Sequence, residues 1–573
     1  MYFLYLILKT PNGLLSLGIF LYSVILAIVS PRLKRNGKKL ALWILCLLPV
    51  AVALVHFLVN GTITFWTFKY LYLESLVPLI NLLPGKNKKA FAAKSISSSI
   101  LAFIVCFVCL LNLIAGSKVH NYSRKSYTKS FQKMLDTLEK EYVLNSWKQI
   151  DYDFLRSRYL PQVQMAEEQN DETAYAAVVT EVLYRFYDSH VSANLSSSLY
   201  YDTRDVFAGN DFGFSMIRLD DGSVMAVLVD AESEAYKQGI HDGTIILSWN
   251  NQKIQDAIDK VECISPDIQF PVKNNEDFFK PIYLAAKNDD QVNLTFVLDD
   301  GSEKNITIGK WQSEYNRFVI AMTKALNWDM ERRNFYSTML DDECGYLQVV
   351  AESYGEFSDN ISALRHGFYP KLTELYADKI QDLLDHGMKY LIVDIRNNVG
   401  GYDSVAGALA SLFTDEKTPM VSFGYEDSKG YHIDETQYVF PDARYTELPV
   451  VVLTNASCMS AGDGMAKFMS DCPNVTLMGI TSSSGVNQNN GGNIYLTKNI
   501  CVVYPIFLSL SSDGVPLIDT DSTRENRIPL DVTIPMTKEF ALKLFSDDKT
   551  DYELEYAMNW LRKVNAESFQ SVP

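Results

Sequence analysis

Three uncharged apolar stretches crowd the first 116 residues, and each is long enough to cross a bilayer. Thr10–Pro31, Leu40–Phe68 and Ser95–Ser117 hold no Asp, Glu, Lys or Arg, and a spanning helix needs about 20 such residues. Thr62–Leu83 is a weaker fourth candidate, because it carries Lys69 and Glu74 among its aromatic residues. Short basic loops lie between these stretches: Arg32, Lys34, Arg35, Lys38 and Lys39 in one, Lys86, Lys88, Lys89 and Lys94 in the other. If both loops face the cytoplasm, residues 1–116 form about four transmembrane helices and the rest of the chain lies outside, anchored to the lipid bilayer of the cell membrane. A cleaved signal peptide fits less well, because the extreme N-terminus is apolar and further spans follow.

Beyond that front end the chain turns acidic, taking the net charge to -17. No nucleic-acid partner is expected for such a body, since phosphate contacts require a basic face. The body cysteines (Cys263, Cys344, Cys458, Cys472 and Cys501) lack CxxC spacing, so neither a metal site nor a cofactor is expected.

The body divides by pattern. Residues 121–200 repeat apolar positions at three and four residues, as at Phe131, Met134, Leu135, Leu138 and Tyr142, and predict helices. Residues 205–310 predict a β-rich unit, with a hairpin turning at Asp221-Gly222. From 311 to 548, apolar strand-like runs alternate with helical segments, as expected of an α/β core whose sheet is covered on both faces. A helical tail, 549–573, closes the chain.

Two strands end in turns suited to chemistry. The apolar run MKYLIVD leads into Asp394-Ile-Arg-Asn-Asn-Val-Gly-Gly401, where glycines allow close backbone approach. The run ELPVVVLTN opens into a turn with Ser457 and Ser460 before a helix, where backbone donors favour developing negative charge. Ser460-x-x-Asp463 also reads as a helix cap.

In order and spacing, these segments resemble the tail-specific (C-terminal-processing) serine peptidases, including the tricorn core, over about 121–545. The resemblance implies a PDZ-like domain at 205–310, with Phe212, Gly213 and Phe214 as the peptide-binding loop, and a ClpP/crotonase-like sheet for the core. It implies Ser460 as nucleophile. The lysine of the bacterial Ser/Lys branch is replaced by Ser484, and neither Lys467 nor Lys498 matches that motif. Tyr187-Asp-Ser-His190 and Glu525-Asn526 instead resemble the Ser/His/Glu branch, implying His190 as general base with Ser189 and Glu525 in support. Gly400, Gly401 and Ala461 are the implied oxyanion donors. The expectation is a membrane-anchored serine endopeptidase acting on protein or peptide substrates. The alternative is an inactive, peptide-binding regulator of the same fold.

Overall fold

The computed structural model describes residues 11–60, 65–83, 88–114, 118–312, 316–353 and 370–570. The chain forms two compact units, one of residues 1–126 with 491–502 and one of residues 127–490 with 503–573.

The first unit contains helices Pro11–Arg35, Lys39–Asn60, Phe65–Leu76 and Lys88–Ile114. Leu14–Arg35 and Lys39–Leu58 are long and apolar enough to cross a membrane. Within the weaker fourth candidate, the described residues form a 12-residue helix, Phe65–Leu76, that continues as a 3-10 segment, Val77–Leu82, at Pro78. Polarity in this bundle runs opposite to that of a helix bundle in water. Ile25, Ile28, Leu40, Val55 and Phe103 are exposed, whereas Ser16, Ser23, Ser30, Glu74 and Ser98 are buried. Inside it, the Ser16 hydroxyl donates to Glu74 Oε2 at 2.6 Å. Strand Lys118–Asn121 pairs in parallel with Gly492–Tyr495.

In the second unit the sheet order is Val532–Thr533, Val475–Gly479, Val450–Leu453, Tyr390–Asp394, Cys344–Gln348 and Tyr336–Met339. Neighbours are parallel except the last pair. Alternate residues serve opposite faces, because successive strand side chains point to opposite sides. Leu391, Val393, Val450, Val452 and Leu477 pack towards helices Pro370–Asp385, Asp403–Ala410 and Ala461–Ser470. Tyr390, Ile392, Val451, Leu453 and Met478 face Ala557 and Leu561 of the Tyr552–Gln570 helix. Both faces are therefore covered, and each fully buried Val or Leu contributes about 1.5–3 kcal/mol.

The expected hairpin forms between Ser215–Arg218 and Val224–Val227, turning at Gly222. A second sheet orders Gln252–Lys253, Ile246–Trp249, Gln291–Val297 and Glu303–Gly309. Helix Lys273–Ala285 packs on the hairpin. The helical stretch upstream begins at Tyr127 and is interrupted by strand Ser192–Leu195. The long hairpin of Thr418–Asp427 and Gly430–Val439 had no clear sequence signal, since its strands are polar and largely exposed towards the tip.

Candidate active site

The two glycine- and serine-bearing turns meet at the C-terminal edge of adjacent parallel strands, where open α/β sheets place their ligands. Three asparagines fasten them together. Asn397 N–H donates to Asn455 Oδ1 at 3.0 Å, Met459 N–H donates to Asn398 O at 2.9 Å, and Asn398 Nδ2 reaches Val349 O and Glu352 Oε1. The arginine of the first turn is structural. Arg396 is fully buried between Asp394 and Asp551, both Nη2 contacts being 2.6 Å, and so ties the turn to the C-terminal helix. Removing one partner of such a pair strands a buried charge.

Ser460 occupies φ 61°, ψ −129° immediately before the Ala461–Ser470 helix. A residue with a Cβ reaches that region only when its surroundings force it there, at about 1–3 kcal/mol. Gly400 supplies the space: a Cβ on it would lie 2.4 Å from Ser460 Cβ and 2.9 Å from Oγ. The Ser460 hydroxyl bonds to no described residue, so the helix-cap reading does not apply to it. Gly400 N–H donates to Asn398 Oδ1 at 2.8 Å, whereas Gly401 and Ala461 N–H donate to no described residue. Two of the three expected oxyanion donors are thus unengaged beside the serine turn.

Asp463 lies in the first turn of the helix, and its carboxylate accepts Gly485 and Val486 N–H at 3.0 and 3.1 Å. Ser460 N–H donates to Val486 O, and Ser484 N–H to Cys458 O. The 481–486 loop is thereby moulded onto the serine turn, and at the lysine-replacing position Ser484 Oγ lies 2.8 Å from Ser189 Oγ. That contact brings the Tyr187–His190 segment to the same place. Burial raises Asp463 to about 7, Asp403 to about 6 and Glu352 to about 8. Three buried carboxyls thus support the turns from beneath.

His190 is buried, and its Nδ1 is enclosed without a hydrogen-bond partner among the described residues, 3.8 Å from Asp188 Oδ1. Burial lowers its pKa; Asp188 opposes that shift and Lys148 reinforces it. No hydrogen bond joins His190 to Ser460. Glu525 is exposed, and its carboxylate bonds to no described residue, including Ser189 and His190. Its neighbour Arg524 does the joining instead: it ion-pairs with Glu276, donates to Pro271 O and Phe270 O, and lies over the Tyr187 ring at 3.8 Å. Lys467 pairs with Asp471 on the helix, and Lys498 is exposed. Sequence reasoning passed over Arg524, Lys148, Asp188 and Glu352. Asp188 lay inside the Tyr187–His190 motif and Arg524 directly before Glu525-Asn526.

In the hairpin unit, Phe212 and Phe214 are buried against Trp249, with ring centroids 5.8 and 6.5 Å away. Gly213 has φ 86°, and a Cβ there would meet Ser233 Cβ at 2.3 Å. Its N–H donates to Asp211 Oδ1 at 2.6 Å.

Residues 351–521 match the profile of Peptidase family S41. Over 147 residues the chain is 29% identical to the carboxy-terminal processing protease CtpA of Bacillus subtilis (strain 168), a stretch covering 26% of this chain and 27% of that protein. The chain therefore spans about a quarter of the length of this curated relative. Among solved structures, mature CPAF complexed with lactacystin aligns over 77% of this chain and 98% of its own, at 14% identity and TM-score 0.46. A photosystem II D1 C-terminal processing protease aligns over 74% and 98%, at 16% identity and TM-score 0.32. The serine turn and the double-glycine turn both lie inside residues 351–521, the stretch that matches Peptidase family S41.

Proposed function

We propose that this chain is a serine endopeptidase with Ser460 as nucleophile and His190 as general base. The observation that carries the reading is the Ser460 backbone at φ 61°, ψ −129° on a strand-to-helix turn, since such strained elbows push a nucleophile clear of its own chain. Ser460 attacks a peptide carbonyl as His190 takes its proton, and the carbonyl oxygen turns to the Gly401 and Ala461 N–H groups. His190 then returns the proton to the leaving amine. Ser189, bonded to Ser484, fixes the histidine segment against the 481–486 loop. Ser460→Ala and His190→Ala should each lower kcat by several orders of magnitude, and the double variant little further. Near-normal turnover in either single variant rejects the assignment.

The 205–310 unit serves as a PDZ-like reader of extended or C-terminal peptide through Phe212–Phe214. A terminal carboxylate would take the Gly213 N–H from Asp211. Free-acid peptides should therefore bind more tightly than their C-terminal amides, and equal binding rejects the role. The apolar exterior and polar interior of the first unit suit a lipid solvent, supporting a multi-pass anchor, and the two basic loops, if cytoplasmic, put the peptidase unit outside the cytoplasm. Thiol labelling from outside intact cells should reach a cysteine placed at Asp299 but not one at Arg35; the reverse pattern rejects this orientation.

A further inference from the structure

The serine–histidine reading leaves open which acid holds His190, and the structure offers an answer away from Glu525. Asp188 stands two residues before His190, and its side chain is fully buried. Its Oδ1 accepts His190 N–H at 2.9 Å, and its Oδ2 accepts the Tyr142 hydroxyl at 2.7 Å. The same Oδ1 lies 3.8 Å from the unpartnered Nδ1 of the imidazole. Acting as a pair requires this gap to close, and catalytic hydrogen bonds commonly tighten only in the substrate complex.

Behind this pair lies a buried cation. Lys148, at the end of the short Asn145–Lys148 helix, donates to Tyr187 O and Thr520 Oγ1, both at 2.9 Å. Burial lowers the pKa of Lys148 and Arg524 acts in the same direction, while Asp188, Asp519 and Asp521 oppose that shift. Asp519 is itself held by Gln488 Nε2 at 2.6 Å and by Asn487 N–H. Three segments distant in sequence thus converge on one buried charge cluster against His190: the Lys148 helix, the Tyr187–His190 turn and the 519–521 segment.

We propose that Asp188 is the positioning acid of His190, holding Nδ1–H and balancing the imidazolium during turnover, and that Lys148 tempers the strength of that acid. The proposal rests on Ser460 and His190 forming the reacting pair. In the step it describes, the Ser460 proton passes to Nε2 as the oxygen–carbon bond forms. Nδ1–H donates to Asp188, which stays ionised, and the Nε2 proton leaves with the amine. Asp188 works for the imidazolium against burial, and the Lys148 ammonium offsets part of that pull.

This arrangement predicts opposite displacements from two substitutions. Asp188→Asn removes the partner of the imidazolium, so the histidine midpoint should fall and the plateau rate should drop by about 10²–10⁴-fold. Lys148→Met leaves more uncompensated negative charge, so the midpoint should rise by about one pH unit. The readout is the pH dependence of covalent inactivation of the full chain by a fluorophosphonate. Because Lys148→Met strands two buried carboxylates, Tyr142→Phe provides a second arm. It keeps the ring, frees Asp188 Oδ2, and should move the midpoint upward by a smaller amount. Glu525→Gln should cost less than Asp188→Asn. Midpoints that stay fixed or move together overturn the proposal, as does a greater loss from Glu525→Gln than from Asp188→Asn. Failure of wild type to react at all counts against the Ser460–His190 reading instead.

Discussion

Replacing Glu352 by Gln should make the peptidase unit more stable in alkali. Glu352 lies beneath the double-glycine turn, with Oε1 accepting Asn398 Nδ2 at 2.7 Å and Oε2 buried without a partner among the described residues. Burial raises its pKa from 4.5 to about 8, and Asp403 and Asp463 push in the same direction. A carboxyl raised in the fold contributes stability that is complete below about 4.5 and is lost as pH climbs through about 8. Over that window the native state keeps one proton that the unfolded chain releases, so wild type loses about 1.4 kcal/mol per pH unit from this group, or about 4 kcal/mol between pH 5 and 8. Glutamine keeps the acceptor for Asn398 and cannot ionise. The variant should match wild type within about 1 kcal/mol at pH 5, where a neutral carboxyl and an amide make similar hydrogen bonds. It should be the more stable protein at pH 8. Urea unfolding of the full chain, followed by the fluorescence of its seven tryptophans from pH 5 to 9, reads the difference directly. Parallel curves for the two proteins, or a variant less stable at pH 8, would refute a neutral buried Glu352.

Gly400→Ala places a methyl 2.4 Å from Ser460 Cβ at a φ of 88°, and displacement of the serine should lower kcat/KM on a peptide substrate by about 10²-fold or more. Its far-ultraviolet circular dichroism should match wild type. Arg524→Met removes the ion pair to Glu276, two carbonyl contacts and the Tyr187 stacking. Stranding buried Glu276 should cost about 3–5 kcal/mol in denaturant unfolding.

The core sheet was legible because its central strands are unbroken apolar runs, such as Leu391–Val393 and Val450–Leu453, punctuated by turns with a recognisable order. The Ser460 turn and the His190 segment were legible through their motifs, and the 2.8 Å contact between Ser189 and Ser484 brings their neighbourhoods together. What the chain hid was the electrostatic surround. Lys148 sits in a helical stretch with no motif, and only folding brings it to Asp188 and Asp519. Glu352 looks like any loop glutamate until the double-glycine turn closes over it. Glu525 shows the opposite failure. Its motif position suggested a partner for His190, yet its side chain faces solvent, and Arg524 beside it makes the contacts that join the segments. The second strand of the 418–439 hairpin, largely solvated, offered too little apolar alternation to be recognised.

The central claim is that Ser460 is a covalent nucleophile. Peptide mapping by tandem mass spectrometry of the fluorophosphonate-treated full chain tests it most directly. The account predicts a single phosphonylated site, Ser460, formed faster as pH rises through the His190 titration and absent from His190→Ala. A modified Ser457 or Ser484, or an untouched Ser460 in folded protein, would contradict it.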